Sequence, residues 1–405
     1  MIVFLKLAIV VIFILILIRL RVDLGVALFS GAILAGLILK LSLRELLNAI
    51  FLTIIDKDTL NLIGIILLVL LLGKLLQQTG NLQEMVNSLN HFIPEPRIAM
   101  VIPASIIGLL PMLGGALLSA PMVNEGSQRM NLLPEEKTFF NYWFRHIWEY
   151  CWPLYPGLIV AVTIVKIPIE KLISIQFPFT ILAIVLGLII LFKRAPKIKN
   201  KKNKDMSYFS SLLLFFKSLW SIILVLILIF LVKIPMVLSL GIVVLLLFIT
   251  KISVKEKLKI FIKSISVKTI FLLFSVMLFK KIILGSNVFN SILKVIGTEG
   301  VDAIILLFLA PFLIAFLTGV NHAYVAVSFP LLLPIFGIEK PDLIYVMFAY
   351  VSGFVGILLS PTHLCLNLTL QYFKAELRKV YKILYVPTGI IGLTAFAILF
   401  FKKII

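Results

Sequence analysis

The sequence predicts an all-α polytopic membrane protein made of two inverted repeats. It should hold about ten transmembrane helices, two re-entrant hairpins and two broken helices. Three observations carry this expectation. First, 61% of the 405 residues are hydrophobic and only 14% are charged, against about 25% charged in soluble domains. Second, apolar runs long enough for a ~30 Å hydrocarbon core recur along the chain. They fall at 2–19, 23–41, 59–78, 174–192, 211–232, 234–250, 268–284 and 383–402. Third, Leu110-Pro111-Met112-Leu113-Gly114-Gly115 and Leu317-Thr318-Gly319-Val320-Asn321-His322 interrupt stretches where a helix should continue. Each is followed, roughly forty residues on, by a second break: Trp152-Pro153-Leu154-Tyr155-Pro156-Gly157 and Ser360-Pro361-Thr362-His363.

A transmembrane β-barrel is excluded, because its strands alternate apolar and polar residues over about ten positions. The run 2–19 ends at Arg19 and Arg21 with no small-residue cleavage site, so it reads as a first span and not a signal peptide. After it come a second span, an amphipathic stretch at 42–58, a third span, the interrupted segment 98–123, the break at 152–157 and a final span. Residues 193–206 form a basic linker, with Lys193, Arg194, Lys197, Lys199, Lys201, Lys202 and Lys204 against Asp205. Beyond it the same order returns, which divides the chain into repeats at 1–192 and 207–405. At a constant offset of 205 residues, Gly80 falls on Gly285, Gly114 on Gly319, Pro156 on Pro361 and Leu172 on Leu377.

Loop charges orient the halves. The basic linker, the stretch 251–268 and the loop 374–382 belong on the cytoplasmic side, and near-neutral 286–300 and 334–341 belong outside. In the first half, 42–58 balances Arg44 and Lys57 against Glu45, Asp56 and Asp58, and reads as outside. The halves then face opposite ways, which requires an odd number of crossings in each. Treating 98–123 and 301–333 as re-entrant hairpins gives five. One stretch resists: 124–137, with Glu125, Arg129, Glu135, Glu136 and Lys137, should be cytoplasmic yet is net acidic.

A formal charge of +20 sits in loops, which excludes a nucleic-acid surface as its explanation. Cys151 and Cys365 lie in apolar segments and suggest no disulfide. His146, His322 and His363 fall in the broken regions, and His91 in a loop. None shows i, i+4 spacing or a Cys or Asp partner, so no metal site is expected. No phosphate loop, His-Glu-x-x-His or Gly-x-Ser-x-Gly occurs, which argues against ATP-driven transport and against an enzyme.

The polar residues at the breaks form the expected site. Pro111, Gly114, Gly115 and Asn124 come from the first hairpin, and Thr318, Gly319, Asn321 and His322 from the second. Ser360, Pro361, Thr362 and His363 come from the second broken helix. An unwound break exposes carbonyls suited to Na⁺ and N–H groups suited to a carboxylate. His146, Glu149, His322 and His363 are the candidates for proton coupling, since histidine titrates near neutral pH. Arg145 and Glu149 are four apart and can pair on one helix face, either as a structural ion pair near an interfacial belt of Trp and Tyr or in a proton-relay or anion-binding role.

The segments Gly108–Gly115, Gly319-Val320-Asn321-His322 and Leu359-Ser360-Pro361-Thr362-His363-Leu364-Cys365 resemble a family of ten-span proteins known as domain of unknown function 401. More distantly, the two-hairpin plan is similar to the ion transporter superfamily of citrate, dicarboxylate and gluconate permeases. In its divalent-anion members a Ser-Asn-Thr motif at each hairpin tip holds Na⁺ and a carboxylate. Here Thr318 and Asn321 supply two of those residue types, and Asn124 is the nearest amide in the first half. The expected function is secondary transport of a small organic anion coupled to H⁺ or Na⁺, at a midplane site. The alternatives are a membrane-embedded enzyme or a structural subunit of a membrane complex. The expected setting is the inner cell membrane, as a multi-pass protein, possible homodimer and symporter. No cofactor is expected beyond a bound Na⁺.

Overall fold

The computed structural model describes residues 2–80, 84–85, 88, 93–112, 114–198, 208–249, 259–262, 264–286 and 301–404. His91, most of the basic linker, 251–258 and most of 286–300 lie outside the described residues. All described elements are helical. The first half holds α1 (Ile2–Arg19), α2 (Leu24–Ile38), α3 (Leu43–Ile54), α4 (Lys57–Gln78), α5 (Pro96–Ile107), α6 (Gly115–Gly126), α7 (Pro134–His146), α8 (Pro156–Val165) and α9 (Ile169–Arg194). The second half holds α10 (Tyr208–Leu226, running into a π turn), α11 (Met236–Phe248), α12 (Val267–Gly285), α13 (Val301–Thr318), α14 (Asn321–Phe336), α15 (Leu343–Leu359), α16 (Leu364–Phe373) and α17 (Leu377–Ile404). Among the described residues, five helical stretches are long and apolar enough to cross a membrane: 57–78, 169–194, 210–231, 343–373 and 377–402. Several others are apolar but short. The run 234–250, for instance, yields only the 13-residue α11, about 20 Å long.

Residues with left-handed backbone mark matching ends in the two halves. Arg21 (φ 63°) and Lys233 (φ 60°) follow the first span of each. Lys166 (φ 60°) and Lys374 (φ 54°) cap α8 and α16, which are both ten residues long. Gly114 (φ 75°) and Gly319 (φ 66°) precede α6 and α14. Gly80 is also left-handed, whereas Gly285 ends α12 without a positive φ.

Packing between the halves comes in exchanged pairs. Helix α2 packs on α12, and α11 packs on α4. Helix α6 packs on α16, and α14 on α8. Helix α15 packs on α9, and α7 on α17. Within each half, α5 lies against α6 and α13 against α14, so both interrupted segments are helix–turn–helix units. With 12 residues each, α5 and α6 are too short to cross alone.

The acidic stretch before α7 has a structural answer. Glu136 caps the Leu133 N–H at 3.0 Å and meets Arg194 at 2.9 Å, and Glu135 lies 3.8 Å from Lys379. Both bases come from segments that the loop charges place in the cytoplasm. The acids are therefore partnered rather than free loop charge. The second half repeats the arrangement: Asp342, at the start of α15, meets Lys402 at the end of α17.

Helix α3 starts from a capping box, with Ser42 Oγ accepting from Glu45 N at 3.3 Å and Glu45 Oε2 accepting from Ser42 N at 2.6 Å. Leu43, Leu47, Phe51 and Ile54 form an exposed apolar stripe along it. That pattern suits a helix lying in the membrane interface.

Close helix contact at the α2–α12 seam rests on Gly25, where a Cβ would sit 3.0 Å from the Leu272 backbone nitrogen. We expect Gly25→Val to cost about 1–3 kcal/mol through overpacking. Thermal unfolding in detergent should show a lowered Tm for it and little change for Gly241→Ala, whose Cβ meets nothing within 4 Å.

Candidate functional site

Each helix–turn–helix unit is tied through its turn to the broken helix of its own half. In the first half α5 stops before Pro111, and α6 begins after the left-handed Gly114. The freed carbonyls find side chains from the break between α7 and α8. The Tyr155 hydroxyl donates to Gly108 O, Arg145 Nη2 to Met112 O at 3.0 Å, and Trp148 Nε1 to Ser105 O at 2.9 Å. Gly115 lies under Arg145, where a Cβ would come 2.5 Å from Nη2.

The second half repeats this with different side chains. Ser360 Oγ donates to Phe316 O at 2.7 Å and Thr362 Oγ1 to Leu317 O at 3.2 Å. His363 Nδ1 bonds Gly319 O at 2.6 Å. Gly319 is required twice over: its φ is 66°, and a Cβ would fall 2.7 Å from the His363 backbone nitrogen. Thr318 caps its own turn, donating to Ile314 O at 2.7 Å and accepting from Val320 N at 3.4 Å.

The two breaks then meet across the seam between the halves. His146 Nε2 lies 3.0 Å from His363 Nε2 and 3.6 Å from Glu149 Oε1. Asn321 Nδ2 donates to Glu149 Oε2 at 2.6 Å, and its other amide atom lies against Gly157, which has no room for a Cβ. Asn141 Nδ2 bridges Ala116 O at 3.1 Å and Thr369 Oγ1 at 3.2 Å, tying α6, α7 and α16. The hydroxyls of Tyr142 and Tyr350 close the cluster, bonding Ile357 O at 3.3 Å and Glu149 O at 3.0 Å. Arg145, His146, Glu149 and His363 are all less than 10% exposed. Buried polar groups of this kind are costly unless satisfied, so the cluster fixes the register of the breaks.

Several expectations change here. Arg145 and Glu149 do not pair, because α7 ends at His146 and the i, i+4 geometry is lost. Arg145 turns to the first hairpin and Glu149 to the second. Tyr142, Trp143 and Tyr150 are fully buried core residues, not an interfacial belt. Asn124 is not at the turn. It sits ten residues along α6 from Gly114, about 15 Å away, and accepts from Lys137 Nζ at 3.1 Å. Half-buried His322 makes no hydrogen bond among the described residues and stays out of the histidine pair. Pro111 and exposed Pro361 shape the turns rather than face the cluster. Cys365 was missed as a site residue, although its signal was legible two positions after His363. Its sulfur and the two imidazoles lie within 4.8 Å of one another.

A cavity of about 360 Å³ lies at the far end of α8, lined by Asp58, Asn61, Thr163 and Lys166 among others. Lys280, from α12, donates to Thr163 O at 2.9 Å. Helix α8 therefore runs from this cavity to the central cluster.

The fold and the apolar spans define a helical membrane protein with a buried polar centre. Residues 2–401 match the family described as Protein of unknown function (DUF401), and the chain belongs to that family. No curated protein matches the chain.

The two left-handed glycines should respond differently to Ala. Gly114 has open space around its missing Cβ, so Gly114→Ala should cost only the left-handed strain, about 1–2 kcal/mol. Gly319→Ala adds a backbone clash and should lower Tm by clearly more. Equal losses in thermal unfolding would mean that the Gly319–His363 contact carries nothing.

Proposed function

We propose that this protein is a secondary active transporter of a small organic anion, driven by an H⁺ or Na⁺ gradient. The observation that carries the reading is the convergence of both helix–turn–helix units and both helix breaks on one buried polar cluster. Non-helical backbone at membrane depth is tolerated where it is buried in protein or lines a cavity, and paired interruptions in two halves point to a transport site. The exchanged packing pairs, the matching left-handed caps and the repeated ion pair at the ends of α7–α9 and α15–α17 support two repeats related by a pseudo-two-fold axis. With the loop charges, they support inverted repeats of about five crossings each.

Buried donors without acceptors favour an anionic substrate. Among the described residues, Arg145 Nε, Tyr150 OH and Trp152 Nε1 on the first broken segment have no hydrogen-bond partner, alongside the open acceptors Asn141 Oδ1 and Asn321 Oδ1. The helices α6, α8, α14 and α16 all begin at the turns or breaks, so their N-terminal N–H groups face the same region. Backbone carbonyls and hydroxyls at Thr318, Ser360 and Thr362 are the natural hold for Na⁺. The cavity beside Asp58 opens from the side that the loop charges place outside, which suits the vestibule of one access state.

Uptake into proteoliposomes is the direct test. A panel of organic anions under imposed Na⁺ or H⁺ gradients should include one that accumulates. Gly115→Ala should displace the Arg145 guanidinium and cut uptake at least about tenfold, the equivalent of 1.4 kcal/mol, without a matching loss of Tm. Pro361→Ala should also impair uptake, whereas exposed Pro235 between two spans should tolerate Ala. Full uptake by the Gly115 and Pro361 variants would place the site elsewhere. Cysteine labelling should reach 42–58 from outside and 251–268 from inside, and labelling of both from one side rules out the inverted repeat.

A further inference from the structure

His146 and His363 pose a problem of lone pairs. His146 Nδ1 lies 2.6 Å from Tyr142 O, and His363 Nδ1 lies 2.6 Å from Gly319 O. A carbonyl oxygen only accepts, so both Nδ1 atoms carry the ring proton. In the neutral rings both Nε2 atoms are then bare lone pairs, and they face each other at 3.0 Å. The ring centroids are 5.1 Å apart with the rings tilted at 68°, so they meet end to end rather than stacked. Two lone pairs held this close need a cation between them.

A third donor decides which cation. Cys365 follows His363 by two residues on the first turn of α16, and its Sγ lies within 4.8 Å of a ring nitrogen of each histidine. A proton could bridge two nitrogens, but it leaves the sulfur unused. A soft divalent ion uses all three. Ligating histidines characteristically donate the second ring N–H to a carbonyl or carboxylate, as both rings do here. Glu149 Oε1, 3.6 Å from His146 Nε2, stands next to the site as a fourth ligand or as the counter-charge, and Asn321 fixes it in place. Tetrahedral ligation with zinc–nitrogen bonds of about 2.0–2.1 Å and a zinc–sulfur bond of about 2.3 Å would draw the sulfur in toward the rings and part the two Nε2 atoms slightly.

We infer that His146, His363 and Cys365 form a binding site for a soft divalent metal ion of the Zn²⁺ class, joining the two halves at their seam. Binding releases the Cys365 thiol proton, so the ion is met by one thiolate and by the Glu149 carboxylate. The two anionic groups balance the ion's charge, which suits a buried site. Thr362 is exposed one residue before His363, which gives an ion a way in. The ligands are contributed by the end of α7, the break before α16 and the first turn of α16, so the ion would hold the two breaks together. The inference stands whether or not the transported substrate is an anion, since it concerns what these three side chains bind.

The test uses the full chain, purified in detergent and freed of metal with a chelator, then titrated with Co²⁺ as the probe. One Co²⁺ per chain should bind, with visible bands of tetrahedral Co²⁺ and a near-ultraviolet thiolate-to-cobalt charge-transfer band. Zn²⁺ should displace it stoichiometrically. Cys365→Ser should abolish the charge-transfer band and weaken binding at least about tenfold. Cys151→Ser should leave both intact, because Cys151 lies elsewhere, against Thr180 Oγ1 at 3.1 Å. His146→Gln should weaken Co²⁺ binding but keep the charge-transfer band at saturating metal, which separates lost ligation from lost folding. A wild-type protein that takes up no Co²⁺ overturns the inference outright, whatever the variants do, and leaves a shared proton between the rings. So does a charge-transfer band that survives Cys365→Ser.

Discussion

Everything in this structure depends on satisfying backbone that is unwound inside an apolar protein. Each break strips a helix of intrahelical hydrogen bonds at both new ends. In a membrane interior no water is available to replace them. The chain solves this locally. Tyr155, Arg145 and Trp148 serve the carbonyls of the first turn, and Ser360, Thr362 and His363 serve those of the second. The side chains differ between the halves while the function of each is the same. That is the expected outcome when two repeats share a backbone plan and diverge in sequence.

The cluster at the seam is a second-order consequence. Once the turns are fixed, Asn321 and His363 project toward the first half, where Glu149 and His146 receive them. Glycine at 157 allows this approach, since a Cβ there would collide with Asn321, and Gly319 leaves room for the His363 backbone within its own half. Elsewhere the halves also meet through apolar packing, as where α2 meets α12, and through peripheral contacts such as Lys280 with Thr163 O and Lys379 with Glu135. The polar contacts therefore add specificity of register that apolar surfaces cannot supply.

Much of this was legible in the sequence. Composition gave the membrane class, and Pro and Gly within apolar runs located all four interruptions. Gly114 and Gly319, and likewise Pro156 and Pro361, stand at a constant offset of 205 residues, and both glycines are left-handed at matching turns. What could not be read is which distant residues meet. His146 and His363 are 217 residues apart, and no spacing rule links them. Spacing within one helix cannot bring together His146, His363 and Cys365, which the two halves contribute. Asn124 misled because residue type was weighed without helix length. The acidic stretch before α7 misled because loop charges were counted without their partners. The loss of the Arg145–Glu149 pair turns on where α7 ends, and helix ends are the least legible feature of any sequence.

The central claim is that the interruptions of the two halves build one shared site, so groups on opposite sides of the seam must be energetically coupled. A double-mutant cycle on Glu149→Gln and Asn321→Ala, read by thermal unfolding in detergent, measures that coupling most directly. Residues in direct contact couple by about 0.5–3 kcal/mol, whereas independent sites add to within a few tenths. The account predicts a coupling energy in the first range. Additive losses would show that the two halves meet without a common polar centre, and the account would fail.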